Sequence, residues 1–181
     1  MITDYTSLKE AVLAWLEREG DTALSGQINT IISLAESWLR RQLAGYQREI
    51  ATTLTTDGTG AVALPIDFIG VKGVSLANVP YSYSISGTTL VVARGASRTF
   101  DVVYYGKLPG LSETNPTNWL LSLAPDVYLY ACLARASAFA QDWQNAAIYE
   151  GNATEALTQV NMQNAVAQYG RSGMNLPVRA F

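Results

Sequence analysis

Histidine is absent from the 181 residues. That absence removes serine–histidine and cysteine–histidine catalysis and every histidine metal site. A single cysteine, Cys132, excludes an intrachain disulfide and any cysteine-rich zinc motif. It fits a protein assembled in a reducing cytoplasm. Charge is also scarce: 15% of residues are charged, against about 25% in an ordinary soluble protein. Net charge -3 and a pI near 4.9 argue against a dedicated nucleic-acid binder, which would carry a basic face. No apolar run approaches the ~18–20 residues of a membrane span, so no membrane partner is expected. The opening Met1-Ile2-Thr3-Asp4 lacks the basic start and apolar stretch of a signal peptide.

What is present is a globular composition. Hydrophobic residues make up 49%, which excludes wholesale disorder. The length suits one core, or one core with a small appendage. A water-exposed monomer covers itself with more charge than this chain has, so much of its surface is expected to face other protein.

The order of patterns reads as helices, then strands, then helices. Thr6 or Ser7 can cap a first helix, with Ser7-x-x-Glu10 at capping-box spacing. Leu8, Val12, Trp15 and Leu16 form its apolar stripe. A second helix is expected from near Ser25 to Gly45, with Ile28, Ile31, Ile32, Ala35, Trp38, Leu39 and Leu43 on one face. From about Arg48 the period changes to two. Ile50, Thr52 and Leu54 begin a run of five or six short strands. The turn Asp57-Gly58-Thr59-Gly60, a hairpin around Gly87 and a last strand through Phe100, Val102 and Tyr104 complete it. Lys107 to Leu123 reads as a loop, and Pro125 as the first turn of a third helix. Its stripe runs Leu129, Leu133, Ala136, Ala140, Trp143, Ala147. A fourth helix follows from Asn145 or Glu150 to Tyr169, with Ala153, Leu157, Val160, Asn164 and Ala167 aligned.

The expected class is therefore α+β: a bundle of about four helices, two N-terminal and two C-terminal, with an inserted small antiparallel β-sheet or sandwich. The helical domain is expected over 1–46 and 120–170, the β domain over 47–108, a connecting loop over 109–119 and an extended tail over 171–181.

Residues 124–168 hold twelve alanines but only five charges: Asp126, Arg135, Asp142, Glu150 and Glu155. Their outer positions are Ser, Asn, Gln and Ala, which permit close helix contact and cost little to desolvate. Ala131, Leu133, Ala136, Ala140 and Trp143 are accordingly candidates for helix packing between subunits. The tail from Arg171 to Phe181 carries apolar Met174, Leu176, Val178 and Phe181 with Pro177, a pattern suited to docking on another subunit.

Candidates for catalysis are thin. Asp57, Asp67, Asp101, Asp126 and Asp142 are scattered over turns, a strand and helices, and no spacing suggests an acid–base pair. Gly58-Thr59-Gly60 lacks the lysine and the strand-to-helix context of a phosphate loop. No cofactor is expected. Arg40, Arg41 and Arg48 form a local basic cluster, read either as favourable cations at a helix C-terminus or as a contact for an acidic partner or passing DNA. An alternative class is a carbohydrate-binding or carbohydrate-cleaving module, with Tyr81, Tyr83 or Trp119 as the platform and an acid such as Asp126 or Asp142.

Several segments together resemble one family. These are Tyr81-Ser82-Tyr83-Ser84-Ile85-Ser86-Gly87-Thr88-Thr89-Leu90, the strand end Tyr104-Tyr105-Gly106-Lys107-Leu108-Pro109, the loop Leu111-Ser112 with Thr117-Asn118-Trp119-Leu120-Leu121, and Pro125-Asp126-Val127-Tyr128-Leu129-Tyr130-Ala131. Leu64-Pro65-Ile66-Asp67-Phe68, the opening Tyr5 to Trp15, and Leu39-Arg40-Arg41 belong to the same pattern. In this order, over about residues 3–170, they resemble the head-to-tail adaptor (connector) proteins of tailed bacteriophages. The resemblance implies a virion structural protein with no enzymatic activity. Copies would form a homo-oligomeric ring, usually a dodecamer, under the portal protein in the neck, assembled in the host cytoplasm. A downstream tail or nozzle protein would sit below, and double-stranded DNA would pass through the ring unread during ejection. The tail segment Arg171, Met174, Leu176, Pro177, Val178 and Phe181 would reach the portal or an adjacent subunit. Another phage neck or tail-tube protein is the neighbouring alternative.

Overall fold

The computed structural model describes residues 1–43 and 49–169, with side chains to residue 163. Gly45, Arg48, the side chains of Asn164 and Ala167, and the tail residues Arg171, Met174, Leu176, Pro177, Val178 and Phe181 lie outside the described residues. The chain divides into two compact units: a helical one from Met1–Ala44 and Gly110–Phe181, and a β unit from Gly45–Pro109. The segment from Gly110 groups with the helices rather than standing as a separate linker.

Five helices are described where four were expected. Helix α1 (Tyr5–Trp15) is capped by Asp4, not by Thr6 or Ser7. The Asp4 carboxylate accepts the Ser7 N–H at 2.8 Å, and the Ser7 hydroxyl accepts the Asp4 N–H at 3.0 Å. Ser7 is thus the third-position partner of the box rather than its cap. Helix α2 (Thr22–Gln42) begins before Ser25 because Asp21 accepts the N–H groups of Ala23 and Leu24. Arg40 and Arg41 lie in its last turn, where the helix dipole favours cations. The expected loop to Leu123 contains a short helix, α3 (Trp119–Leu123), started by Asn118, whose side-chain oxygen accepts the Leu121 N–H at 2.9 Å. Helix α4 is Pro125–Phe139 and α5 is Trp143–Tyr169. The break between them falls at residues 140–142, so Trp143 and Ala147 belong to α5 and not to the α4 stripe.

Helix α4 packs against α1, α2, α3 and α5. Being covered over most of its surface, it is apolar over most of it: Val127, Tyr128, Leu129, Ala131, Cys132, Leu133 and Ala136 are buried, while Asp126 and Phe139 are exposed. Leu8, Val12, Leu24, Ile28, Ile32, Leu39, Leu120, Leu121, Leu157 and Val160 complete this core. Each such large side chain contributes roughly 1.5–3 kcal/mol by leaving water.

The β unit holds two antiparallel sheets. The strands are β1 (Glu49–Thr55), β2 (Ala61–Ala63), β3 (Phe68–Leu76), β4 (Val79–Pro80), β5 (Tyr83–Ser86), β6 (Thr89–Val92) and β7 (Thr99–Gly106). One sheet has the order β1-β7-β3-β4, the other β2-β6-β5. Strand β7 is central, with Thr52 opposite Val102 and Leu54 opposite Phe100. Its even positions Phe100, Val102 and Tyr104 point inward while Asp101 is exposed, as the period of two requires. Val74, Phe100 and Val102 of one sheet meet Leu90 and Val92 of the other, making a small sandwich core. The β5–β6 hairpin turns through Gly87 at φ 59, a left-handed position that suits glycine.

Candidate functional site

Three features of the helical unit stand apart from routine core packing. The first is a buried polar joint. Glu36 lies within the apolar face of α2, between Ile32 and Leu39, and is 4% exposed. Its Oε1 accepts the Leu111 N–H at 2.6 Å and the Tyr128 hydroxyl at 3.4 Å, while Oε2 pairs with Arg40 at 3.2 Å. Tyr128 in turn accepts from the Asn118 Nδ2 at 2.7 Å, and Asn118 also starts α3. Gly110 passes so close that a Cβ there would meet Arg40 Nη2 at 3.1 Å and Glu36 Oε2 at 3.2 Å. Burial pushes the Glu36 carboxyl above its usual range, opposed first by the Leu111 N–H and then by Arg40. Burial likewise pushes the Tyr128 hydroxyl far up, so it stays protonated. This joint ties the 110–118 segment to α2 and α4. Every lone pair it uses is spent on the chain itself, which suits a structural tie rather than turnover.

The second is a cleft of about 210 Å³ lined by Trp15, Glu17, Arg18, Ser137, Asp142 and Tyr149, among others. Helices α1 and α4 both end here, and α5 begins here. Trp15 meets Tyr130 edge-on at 6.2 Å between ring centres, and Tyr130 stacks on Tyr149 at 6.5 Å. Trp15 was expected on the buried stripe of α1, but it is 53% exposed at the cleft mouth. Asp142 starts α5 by accepting the Asn145 N–H at 3.1 Å.

The third is exposed apolar surface. Leu34, Leu123, Phe139, Trp143, Ile148 and Met162 are each about half exposed or more. Between Trp143 and Gln163, α5 carries only Glu150 and Glu155 as charges. Its inner face is Ala146, Ala153, Leu157 and Val160; apart from Glu150 and Glu155, the exposed positions out to Gln163 are neutral. Of the residues expected to pack between subunits, Ala131, Leu133 and Ala136 are at most 2% exposed. The chain's own helices cover them, so they offer no face to a neighbour. Ala140 is half-buried and Trp143 is exposed. The basic cluster separates: Arg40 is held by Glu36, and Arg41 is exposed.

The scattered carboxylates have local work. Asp57 accepts from the Thr59 hydroxyl at 2.7 Å and the Ala61 N–H at 2.9 Å, fixing the turn it begins. Asp67 accepts the Tyr104 hydroxyl at 3.0 Å. Asp101 and Asp126 are exposed, Asp126 in the first turn of α4. Tyr81 packs edge-on against Phe100 at 5.2 Å, and Tyr83 is exposed, with its hydroxyl donating to the Val71 carbonyl at 3.3 Å. Among the described residues no cluster of three metal-ligating side chains occurs. Glu36 was missed from the sequence, although an acid inside an apolar helical stripe is itself a signal. The cleft gave no comparable sign.

No curated protein matches the chain. The family described as SU10 adaptor protein matches residues 3–179.

Proposed function

The chain belongs to the SU10 adaptor protein family, a family of phage head-to-tail adaptors, and we propose that it is a virion structural protein forming a closed ring under the portal. The ring, a dodecamer in this reading, connects capsid to tail and lines the channel through which double-stranded DNA leaves. The observation that carries the reading is a family match that runs through both units and into the tail segment. The low charge and the exposed Trp143, Ile148 and Met162 of α5 support it, because a ring covers two different faces of every subunit. Interfaces of this kind bury on the order of 800 Å² per partner. Trp143 and Ala140 remain inter-subunit candidates, with the outer face of α5 added to them. The tail residues Arg171 to Phe181 are assigned to the portal or an adjacent subunit, and the β unit, with Ile66, Ile69 and Ile85 exposed, to the tail-side partner. A slightly acidic chain suits a wall along which DNA slides, since tight phosphate binding would arrest it.

The test is to mix the purified chain with portal and size the product by mass photometry. A discrete multi-copy assembly on the portal is expected, and a chain lacking 171–181 should attach more weakly. A chain that stays monomeric and unattached overturns the reading.

A further inference from the structure

The cleft at the end of α1 carries features that the fold alone does not need. Both helices that end there close with the same turn. In α1, the Glu17 N–H donates to Ala14 and the Arg18 N–H to Leu13; in α4, the Gln141 N–H donates to Ala138 and the Asp142 N–H to Ser137. The turn needs a left-handed residue, and here Glu17 sits at φ 54 and Gln141 at φ 60 where glycine is favoured. Glu17 lines the cleft and Gln141 lies between its lining residues Ala140 and Asp142, so a costly backbone conformation is held at both helix ends. Ser137 is 1% exposed and lines the cleft, yet among the described residues its hydroxyl has no hydrogen-bond partner. Trp15 presents a half-exposed ring at the mouth. Glu17, Glu19, Asp21 and Asp142 make the surroundings acidic, and Arg18, the cation among the described residues that line the cleft, is taken by Asp21 at 3.2 Å.

The complement is on the same unit. Among its described cations, Lys9 pairs with Glu113, Arg18 with Asp21, Arg40 with Glu36 and Arg135 with Glu150. Arg41 is exposed and pairs with no described carboxylate. It lies at the far end of α2 from Asp21, about 30 Å away by helix rise, too far to serve its own cleft. A guanidinium suits a recess offering an aromatic face, carboxylates and an unused hydroxyl acceptor. Two complementary sites at opposite ends of one helix form a head-to-tail contact, which closes into a ring when the rotation permits.

We propose that the Trp15–Glu17–Ser137 cleft receives the C-terminal end of α2, led by Arg41, from a second copy of this chain. This contact rests on the ring reading above and names one of its repeated interfaces. Four variants of the full chain test it, with and without portal: Arg41→Glu, Glu17→Arg, the two combined, and Glu17→Gly. Each single reversal should weaken assembly by about tenfold, and the double reversal should recover most of the loss. Glu17→Gly relieves the strained turn, so it should raise the monomer's unfolding midpoint by about 2–4 °C while still weakening assembly. Single reversals that assemble like the wild type, or a double reversal no better than the singles, overturn the contact alone. Loss of portal attachment with self-association intact assigns the cleft to the portal and overturns the second copy as its occupant. Wild-type chain that never assembles overturns the ring reading and this contact with it.

Discussion

The β unit and the helical unit satisfy their buried polar groups from differently arranged stretches of chain. In the β unit, the buried Thr56 hydroxyl donates to the Gly95 carbonyl and is within 3.0 Å of the Arg98 carbonyl, and each strand likewise pairs with neighbours inside one uninterrupted stretch. In the helical unit, Glu36 on α2 serves the backbone of Leu111, 75 residues later, and the Tyr5 N–H donates to the Pro116 carbonyl. The β unit can therefore complete itself from its own segment. The helical unit is complete only when the chain returns from the insertion, and Glu36, Tyr128 and Asn118 hold that return. The comparison teaches that the insertion is the self-sufficient part, although the helices have the larger core.

The largest expected effect breaks the comparison at the β core. Phe100→Ala removes a ring that is 1% exposed and should cost about 3–5 kcal/mol. All four tryptophans, Trp15, Trp38, Trp119 and Trp143, lie in the helical unit, so tryptophan fluorescence reports that unit by itself. Amide exchange should speed up across β1, β3 and β7 while the fluorescence-detected urea midpoint stays where it was. A midpoint that falls with the exchange protection would mean one cooperative fold and would refute the independence argued above.

Next in size is Tyr128→Phe, which strips the hydroxyl that accepts from Asn118 and donates to Glu36. Leaving those buried groups short should cost about 1–3 kcal/mol. Here the fluorescence-detected midpoint should fall and β-strand amide exchange should not change.

The smallest effect is a difference in pH response. The Glu36 carboxyl is raised by burial, so the folded helical unit holds its proton more tightly than the unfolded chain. That contribution is complete at low pH and lost as pH rises through the folded value, so the unit gains stability as pH falls from neutral toward 5. Asp57 is lowered by its bonds to Thr59 and Ala61, so its contribution stands above the unfolded carboxylate range and is lost on acidification. Asp4 and Asp21, lowered by their helix-capping bonds, likewise lose their contribution on acidification. Urea midpoints from pH 7 to 5 should rise for the helical unit, and Glu36→Gln should flatten that rise. An unchanged slope in the variant would remove Glu36 as its source.

Much of this was legible in the sequence. The stripe Ile28, Ile32, Ala35, Leu39 and the alternation Phe100, Val102, Tyr104 are the two periodicities that burial imposes, and both elements lie where those periods put them. The two-sheet sandwich and the family pattern were also readable. Helix starts were less so: Asp4 and Asp21 outcompeted the serines downstream because a cap is chosen by where the first turn closes, which apolar spacing does not encode. Helix α3 was hidden by its proline- and asparagine-rich approach. The alanines of α4 were read as a face for neighbours, yet the same small side chains let four other helices of the chain close around it. The cleft was invisible because Glu17 and Gln141 occupy turns that glycine would have advertised.

Cys132 sits wholly enclosed on α4, and enclosure pushes its thiol far above the ordinary range. A sole sulfhydryl in the middle of the central helix reacts only when that helix is laid open. The chain thus carries its own clock: the rate at which an alkylating reagent consumes the thiol, in free subunit and in finished particle, measures how firmly the neighbours clamp the bundle shut.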